Sequence, residues 1–360
     1  MSDAAQPASL GARLTGDGQR PLISLCIPAF NRATLLPEIL DRVYAQDFAD
    51  FEVVVCDDAS PQQAEIRAVC ERYAAQHPGT LHFHANPQTL GYDGNLRRLV
   101  ELARGRYVFF LGNDDHVAPG AFRAIAEGIA RHGDFGVLLR AFSFFDRDPD
   151  QPLRTTRYFP GARVLPPGRE TLLTCFRRLV IISGIVMDRD LALAAASTRV
   201  DGLLFYQQWL AAHILMQKPA LYLPTPVALY RLGGLPEFGT GAAERARFVP
   251  GPKSFEQELQ LNRSLFDVAA AVEATLPLPG FAEDVRRDFA RHAFHTLVYF
   301  AKEGGRRGLW RAYRGLWPLG LQRSPSYHAW FLLLLVLGGH RAEGLADAIR
   351  ARLGYTPNLS

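Results

Sequence analysis

At residues 106–116 the chain reads Arg106-Tyr-Val-Phe-Phe-Leu-Gly-Asn-Asp-Asp-His116, an apolar run that ends at two adjacent carboxylates. The segment from Tyr107 to Leu111 reads as a buried strand, and the Gly-Asn pair after it favours a turn. Two neighbouring acids at the end of a buried strand are costly to hold without a cation. Asp114 and Asp115 therefore predict a site for a hard divalent metal that also binds phosphate oxygens. The alternative is that the two acids cap the helix that follows.

Two earlier segments repeat this pattern of an apolar run that ends in polar side chains. The first is Leu22-Ile-Ser-Leu-Cys-Ile-Pro-Ala-Phe-Asn-Arg32, and the second, Phe51-Glu-Val-Val-Val-Cys-Asp-Asp-Ala-Ser60, again ends in paired acids, Asp57 and Asp58. Residues 33–45 between them have helical spacing, so the order β-α-β-α predicts an α/β fold with a mostly parallel sheet and helices on both faces. Ligands of such sheets bind beyond the carboxyl ends of the strands. The polar residues at these ends predict a ligand that carries phosphate.

The chain changes character near residue 235. We predict a disordered tail over residues 1–20, an α/β domain over residues 21–235 and a helical region over residues 236–360. Within the α/β domain, residues 180–187 are apolar and β-branched and predict a strand. The glycine-rich segment 233–241 is either a mobile loop beside the site or a plain linker.

Four motifs carry a family resemblance. They are Ile27-Pro-Ala-Phe-Asn-Arg32, Val54-Val-Cys-Asp-Asp-Ala-Ser60, Asn86 with Gly91 and Asn95, and Phe110-Leu-Gly-Asn-Asp-Asp115. In this order they resemble the motifs of family 2 glycosyltransferases, whose fold is GT-A. The Leu-Gly-Asn-Asp-Asp form and the later Ile182-Ser-Gly-Ile-Val-Met-Asp188 are similar to a bacterial subgroup that includes abequosyltransferase-like enzymes of O-antigen synthesis. The resemblance covers roughly residues 20–235.

The resemblance implies a site for a nucleotide-sugar donor. The residues that it assigns to donor binding are Pro28, Phe30, Asn31, Arg32, Asp57, Asp58, Gly91, Asp93, Asn95, Asn113 and Asp114. It also implies that Asp114 and Asp115 hold Mg²⁺ or Mn²⁺, which neutralises the departing nucleoside diphosphate. The family usually has an acid two residues before Asp114, where this chain has Gly112. The missing contact is either absent or supplied by Asn113 or Asp93.

A second departure concerns the catalytic base. The family usually carries an acid pair on a helix beside the acceptor, whereas this chain has Gln207 and Gln208 in the corresponding segment 202–210. A neutral amide cannot take a proton from the attacking hydroxyl. The nearby candidates for the base are Asp201, His213, Asp188 and Glu237, of which we choose Asp201. On the acceptor side we expect Tyr206, Gln207 and Trp209, with the two aromatic rings either stacking on a sugar or packing in the core.

The composition favours an intracellular protein. The chain has 360 residues, 48% of them hydrophobic, and four scattered cysteines without a Cys-X-X-Cys motif, which favours a reducing compartment. No apolar signal core is present in the first twenty residues. Arginines and aromatic residues alternate over residues 286–323, which suits the anionic inner face of the cytoplasmic membrane or, equally, a packed helix with solvated arginines. Without a binding motif, they do not favour nucleic acid.

These observations favour an inverting, metal-dependent glycosyltransferase that moves a hexosyl or deoxyhexosyl group. The donor would be a nucleoside-diphosphate sugar, and the acceptor a saccharide or lipid-linked saccharide in the synthesis of a cell-envelope polysaccharide such as O-antigen. The first alternative is a non-catalytic nucleotide-sugar-binding protein of the same fold. A nucleotidyltransferase is disfavoured because the turn after the first strand has no glycine. Adjacent acids also cannot stand on opposite sides of a sugar ring, as a glycoside hydrolase requires.

Overall fold

The computed structural model describes residues 20–234, 238–239, 241–245, 247–248 and 254–355. Except for Arg20, the predicted N-terminal tail lies outside these residues. The candidate base Glu237 lies outside them as well.

The described residues form an α/β body followed by a series of helices. The strands are β1 Ile23–Ala29, β2 Phe51–Asp57, β3 Leu81–Ala85, β4 Tyr107–Phe110, β5 His116–Val117, β6 Val137–Phe145, β7 Arg154–Thr156, β8 Arg163–Leu165, β9 Ile185–Asp188 and β10 Ala220–Arg231. The helices are α1 Leu36–Tyr44, α2 Gln63–Gln76, α3 Gly91–Leu102, α4 Ala121–His132, α5 Arg169–Phe176, α6 Arg189–Ala194, α7 Tyr206–Leu215, α8 Ala242–Arg245, α9 Phe255–Thr275, α10 Phe281–Arg291, α11 Phe294–Gly315, α12 Pro325–Leu337 and α13 Gly339–Leu353.

The strands form one sheet in the order β3-β2-β1-β4-β9-β6-β10-β5, with β7 paired to β6 and β8 paired to β10. Strands β1 to β4 are parallel, and β6 and β10 run in the same direction because β9 lies antiparallel to both β4 and β6. The sheet is therefore mostly parallel, and the predicted α/β class with a C-terminal helical region is confirmed. Since β1 lies between β2 and β4, the carboxyl ends of these three strands meet at one edge of the sheet. The three apolar segments that contain them, 22–32, 51–60 and 106–116, end at this edge.

Two hydrophobic clusters cover the two faces of the sheet. One joins α1, α2 and α4 to the sheet, through residues such as Ile39, Ile66 and Phe122. The other joins α3, α5 and α7 to the C-terminal helices and includes Leu210 of α7 and Leu265 of α9. The C-terminal helices thus share a continuous core with the sheet. The division at residue 235 stays a prediction.

The predicted strand over residues 180–187 forms only from Ile185 onward. The reason is Arg140, a fully buried residue of β6 that the sequence analysis did not single out. Its guanidinium donates hydrogen bonds to the backbone carbonyls of Arg178, Ile181 and Ser183, the last at 3.1 Å. These carbonyls accept hydrogen bonds from a buried cation and are therefore not paired with a neighbouring strand, which fixes residues 178–183 as a loop.

Residues 91–95 form the first turn of α3. A break at His292 separates α10 from α11.

Candidate active site

A cavity of about 770 Å³ lies between the edge of the sheet and the C-terminal helices. One side, which we call the donor rim, is formed by residues that follow β1, β2 and β4 and by the start of α3. Its members are Pro28, Phe30, Arg32, Asp58, Gly91, Asn95, Asn113, Asp114 and Asp115. The opposite side, which we call the helical wall, contains Gln257, Glu258, Asn262, His292, His295 and Thr296. Apolar and aromatic side chains, including Tyr230 and Phe289, complete the lining.

The loop after β1 is joined to the loop after β4 by hydrogen bonds and an ion pair. The Arg32 guanidinium lies 2.7 Å from an Asp114 carboxylate oxygen and donates a hydrogen bond of 3.0 Å to the Asn113 side chain. Asn113 in turn donates to the carbonyl of Phe30. Asn31 and Arg32 both have positive φ, near 55°, a conformation that few non-glycine residues adopt and that directs this loop over the edge of the sheet. Asn31 itself is not part of the cavity lining.

The paired acids after β2 have different roles. Asp57 accepts hydrogen bonds from the backbone N–H and hydroxyl of Ser60 and from the Gln63 side chain, so it holds the turn that leads into α2 and does not line the cavity. Asp58 lines the cavity and accepts three hydrogen bonds of 2.8 Å, from Asn86 and from the backbone N–H groups of Leu90 and Gly91. The assignment of Asp57 to the donor pocket is therefore not supported by its position.

Asp58 and Gly91 together fix the entry into α3. Burial is the largest influence on Asp58 and raises its pKa, while the three hydrogen bonds oppose the shift. Gly91 has a φ of 82°, and an added Cβ would stand 2.5 Å from a carboxylate oxygen of Glu244. Only glycine fits this position, which lies on the cavity wall.

The two polar residues of α3 also differ. Asp93 is fully buried and accepts hydrogen bonds from the backbone N–H groups of Leu204 and Tyr206, at 2.8 and 3.0 Å. Burial, the main cause, raises the pKa of Asp93 to about 7. Asp93 therefore holds the start of α7 and is not part of the cavity lining, contrary to its predicted donor contact. Asn95 does line the cavity and donates to the carbonyl of Cys56, which ties α3 to β2.

The acids after β4 form the most negative part of the donor rim. Asp115 is almost fully buried and accepts hydrogen bonds from the hydroxyl of Ser183 and, at 2.8 Å, from the backbone N–H of Arg231. Burial first, and then the charge of Asp114, raise the pKa of Asp115 to about 8. Asp114 is more exposed and faces Arg32. Two carboxylates this close, one of them buried, form a site whose charge a cation would compensate.

The side chains present suit a divalent metal that takes most of its ligands from elsewhere. Within the part of the chain that the structure describes, no group of three or more His, Cys, Asp and Glu residues is placed to hold a metal ion. Mg²⁺ typically binds through one or two carboxylates and completes its coordination with water and substrate phosphates. Asp114 and Asp115 match that arrangement.

The structure gives a reason for Gly112. A Cβ at this position would stand 3.2 Å from the Ser183 hydroxyl and 3.3 Å from a carboxylate oxygen of each of Asp114 and Asp115. An acid here would crowd two other carboxylates. Asn113, one of the two residues expected to replace the missing contact, lines the cavity, whereas Asp93 does not.

The residues predicted for the acceptor side do not line the cavity. Tyr206 and Trp209 lie in the hydrophobic core, and the Trp209 indole donates a hydrogen bond to the carbonyl of Ala195. Gln207 is fully buried and its amide donates to the carbonyl of Val180. Gln208 is also fully buried. The packing alternative is therefore the one that the structure supports for both aromatic rings.

The three candidates for the base that lie within the described residues are not part of the cavity lining. Asp201 forms an ion pair with Arg97. Asp188 caps α6 and pairs with Lys218 at 2.7 Å. The His213 ring lies 4.3 Å from that of Trp209 at a tilt of 46°, and His213 bonds to the Trp209 carbonyl. The choice of Asp201 as the base has no support in this geometry.

Several residues of the site were not assigned a role from the sequence. Ser183 and Arg231 hold Asp115 from two distant segments; Ser183 lies in the quoted motif 182–188, but nothing in the sequence links it to Asp115. Arg231 also donates to the carbonyl of Asp114 at 3.0 Å. The helical wall was missed because the acceptor side was sought in residues 202–210.

Residues 24–189 match the family described as Glycosyl transferase family 2. This segment is a family 2 glycosyltransferase domain. It includes the donor-rim acids Asp58, Asp114 and Asp115 and ends before the helical wall.

Relatives of this domain include two bacterial proteins. The chain is 31% identical over 121 residues to the uncharacterized protein MT1568 of Mycobacterium tuberculosis, which is 33% of this chain and 36% of that protein. It is 29% identical over 107 residues to the GalNAc(5)-diNAcBac-PP-undecaprenol beta-1,3-glucosyltransferase of Campylobacter jejuni, which is 30% of this chain and 34% of that protein. The chain thus spans about a third of the length of these curated relatives.

The fold is similar to that of TarS of S. aureus. The crystal structure of TarS 1-349 in complex with UDP-GlcNAc matches with a TM-score of 0.51 and 16% sequence identity, and the match covers 92% of each chain. The predicted GT-A fold is confirmed, and the match extends over the C-terminal helices as well as the family 2 domain.

Proposed function

We propose that this protein is an inverting glycosyltransferase that moves a sugar from a nucleoside-diphosphate donor to a saccharide or lipid-linked saccharide acceptor. The observation that carries the proposal is the cavity itself. Its donor rim gathers Asp58, Asn95, Arg32 and the Asp114–Asp115 pair from separate segments of a family 2 domain. Such a rim is complementary to a ligand with a diphosphate and a polar base and ribose.

The reaction would be one displacement at the anomeric carbon. The acceptor hydroxyl attacks from one face, the nucleoside diphosphate leaves from the other, and the anomeric configuration inverts. Arg32 lies beside Asp114 and is placed to meet the phosphate charge. Asp58 and Asn95 are held by backbone groups, so they present a fixed surface to the nucleoside. No covalent bond to the protein is needed.

We propose Mg²⁺ or Mn²⁺ as the cofactor, held by Asp114 and Asp115. When bound, the ion would offset the negative charge of the diphosphate leaving group. The buried, hydrogen-bonded Asp115 supplies a fixed ligand, and Asp114 supplies a second one once Arg32 has turned toward the phosphates.

For the donor and acceptor, the proposal draws on the relatives. The TarS structure contains UDP-GlcNAc. The name of the Campylobacter relative describes a glucosyltransferase whose acceptor is linked to undecaprenol through a diphosphate. Another relative is the minor teichoic acid biosynthesis protein GgaB of Bacillus subtilis. We therefore propose a UDP-sugar as the first donor to test and a role in cell-envelope polysaccharide synthesis, with an O-antigen-like polymer as one product class.

We also propose a peripheral contact with the inner face of the cytoplasmic membrane through the last two helices. None of the described helices alone has the length and apolarity to cross a bilayer, and α12 and α13 reach that length and apolarity only when they are counted together across a bend of 111°. Large apolar side chains are exposed on both helices, for example Leu332, Val336 and Ile349. Arg341 and Arg352 lie on the same pair of helices, and their charge is complementary to anionic lipid.

A thermal-shift screen tests the proposed function. The purified protein is heated with UDP, GDP, CDP or dTDP, each with and without Mn²⁺. We expect one nucleotide to raise the melting temperature, and Mn²⁺ to increase that shift. Turnover is then measured as release of the selected nucleoside diphosphate from its sugar nucleotides. No shift with any nucleotide would contradict the proposal, and a shift without turnover would favour the non-catalytic alternative.

A further inference from the structure

The cavity has two sides, but the family motifs account for only one of them. The helical wall belongs to α9, α11 and the residues around His292, all beyond the segment that matches the family. A sugar-transfer site needs a second binding surface, because the acceptor must approach the anomeric carbon from the face opposite the leaving group. The following inference rests on the proposed function and concerns this second surface.

We infer that the helical wall binds the acceptor saccharide and that Glu258 is the base that takes the proton from its attacking hydroxyl. In this step the acceptor oxygen forms a bond to the anomeric carbon, and the bond from that carbon to the diphosphate oxygen breaks. The electron pair of the broken bond leaves with the nucleoside diphosphate. The acceptor proton moves to the Glu258 carboxylate, so no redox partner is required.

The first argument is the distribution of carboxylates around the cavity. Among the described residues, the acids that line it are Asp58, Asp114, Asp115 and Glu258. Asp58 is bound to backbone N–H groups, and the Asp114–Asp115 pair belongs to the proposed metal and diphosphate site. Glu258 is the remaining lining acid, and it belongs to the helical wall rather than to the donor rim. The segment where the family usually has its acids is buried here and carries amides.

The second argument is how Glu258 is held. Helix α9 begins with a capping box in which Ser254 and Gln257 each bond to the backbone N–H of the other, both at 3.2 Å. Glu258 follows in the next position, where the helix dipole favours a negative charge. One of its oxygens accepts hydrogen bonds from Thr296 at 3.2 Å and from Asn262 at 3.4 Å. Contacts from two helices thus fix the carboxylate at the cavity wall.

The third argument is the chemistry of its neighbours. Asn262 and Thr296 offer amide and hydroxyl groups that can exchange hydrogen bonds with sugar hydroxyls. The Nδ1 atom of His292 lies 2.7 Å from the carbonyl oxygen of Asp288, so the Nε2 atom on the other side of the ring points away from this contact. Phe289 and Leu261 supply apolar surface for the face of a sugar ring. Polar groups among apolar ones are typical of a small-molecule site.

His295 is the competing base on this wall, and its surroundings disfavour it. His295 lines the cavity, and its side chain is exposed. Desolvation by the surrounding protein is the largest cause that lowers the pKa of His295 to about 4, and the positive charges of Arg350, Arg177 and Arg154 add to it. Such an imidazole is neutral but holds a proton weakly. It can accept a hydrogen bond from the acceptor without serving as the base.

The test is Glu258→Gln in the full-length protein, with Glu256→Gln as the matched control. Glu256 lies two residues earlier on α9, is exposed, pairs with Arg311 and does not line the cavity. The nucleoside diphosphate selected by the thermal-shift screen serves as the probe of donor binding, and its release from the sugar nucleotide serves as the rate. We expect Glu258→Gln to lower kcat by about 10²- to 10⁴-fold with unchanged nucleotide affinity, and Glu256→Gln to stay within about twofold.

The outcomes separate this inference from the proposed function. Wild-type release with an equally active Glu258→Gln variant would overturn the role of Glu258 and leave the glycosyltransferase proposal intact. Loss of nucleotide binding in Glu258→Gln would overturn its assignment to the acceptor side. A wild-type protein that binds nucleotide without releasing it would overturn both. If Glu258→Gln does not fold, Thr296→Val replaces it, since losing one hydrogen bond to Glu258 should lower kcat and leave nucleotide affinity unchanged.

Discussion

The donor rim and the helical wall face each other across one cavity but are built in different ways. On the donor rim, Asp58 is held by the backbone N–H groups of Leu90 and Gly91 and Asp115 by that of Arg231, so the backbone itself fixes these side chains. On the helical wall, Glu258 is held by other side chains from two helices. The rim can therefore keep one donor geometry while the wall changes with substitutions on the surface of its helices. We expect donor chemistry to be the conservative property of this scaffold and acceptor choice the adjustable one.

The largest effect that would test this comparison is expected from Asp115→Asn. The amide keeps the shape but removes a metal ligand, so release of nucleoside diphosphate should fall by about 10²- to 10³-fold and the Mn²⁺-dependent thermal shift should disappear. The ligand-free protein should melt at the same or a higher temperature, because a buried carboxyl whose pKa is raised to about 8 carries little charge at pH 7.

The control for Asp115→Asn is Asp146→Asn, which changes an exposed acid that pairs only weakly, at 4.0 Å, with Arg147. Asp114→Ala is measured beside it, since Asp114 is the other proposed ligand. A full Mn²⁺-dependent shift in Asp115→Asn would contradict the metal assignment and would weaken the contrast between the two sides of the cavity.

The sequence was informative where the chemistry is local. Apolar runs that end at Asn31–Arg32, Asp57–Asp58 and Asp114–Asp115 predicted the strands β1, β2 and β4 and the edge where they meet. The sequence could not show which member of an acid pair lines the cavity and which one bonds to the local backbone, because this depends on the path of the backbone that follows. It could not supply the helical wall either, since Glu258 and Thr296 are 38 residues apart and meet only when α9 packs against α11.

The second effect concerns Arg140, which serves both sides of the cavity. Its three hydrogen bonds hold the loop that carries Ser183 to Asp115 and Val180 to the cavity wall. Arg140→Met should leave buried carbonyls without a donor and lower the free energy of unfolding by about 2–4 kcal/mol, measured by urea denaturation. Arg123→Met, at an exposed residue, should change it by less than about 0.5 kcal/mol. Equal stability of the two variants would show that the loop is fixed by other contacts.

A smaller effect, on the pH dependence of stability, comes from Asp93 beneath the donor rim. Burial raises its folded-state pKa to about 7, above its unfolded value, so the native state binds the proton more tightly. Its contribution to stability is therefore full below about pH 4 and is lost as the pH rises through about 7. Relative to Asp93→Asn, the wild-type free energy of unfolding should fall with a slope of up to about 1.4 kcal/mol per pH unit between those values.

Urea denaturation at several pH values measures this slope, with Asp201→Asn as the comparison because Asp201 also contributes to the shift. Asp201→Asn should reduce the slope only in part. Parallel pH profiles of the wild-type protein and Asp93→Asn would mean that Asp93 is ionised in the folded state. In that case Asp93 would be a strongly solvated acid rather than a buried support for α7.

The smallest effect is expected at the far end of the helical region, where the wall continues into α12 and α13. Leu332 and Val336 lie one turn apart on α12 and are 57% and 80% exposed. The test is the double variant Leu332→Ser with Val336→Ser, measured for binding to vesicles of equal phosphatidylglycerol and phosphatidylcholine. If this face contacts an anionic bilayer, binding should fall by about tenfold, because each substitution removes apolar burial in the bilayer.

The control is Leu153→Ser, which changes an exposed leucine outside the C-terminal helices. Nucleotide affinity should stay the same in all variants, because the donor rim lies on strands that these helices do not form. If the double variant and the wild-type protein sediment equally with these vesicles, the proposed membrane contact is wrong. Helices α12 and α13 would then only support the helical wall.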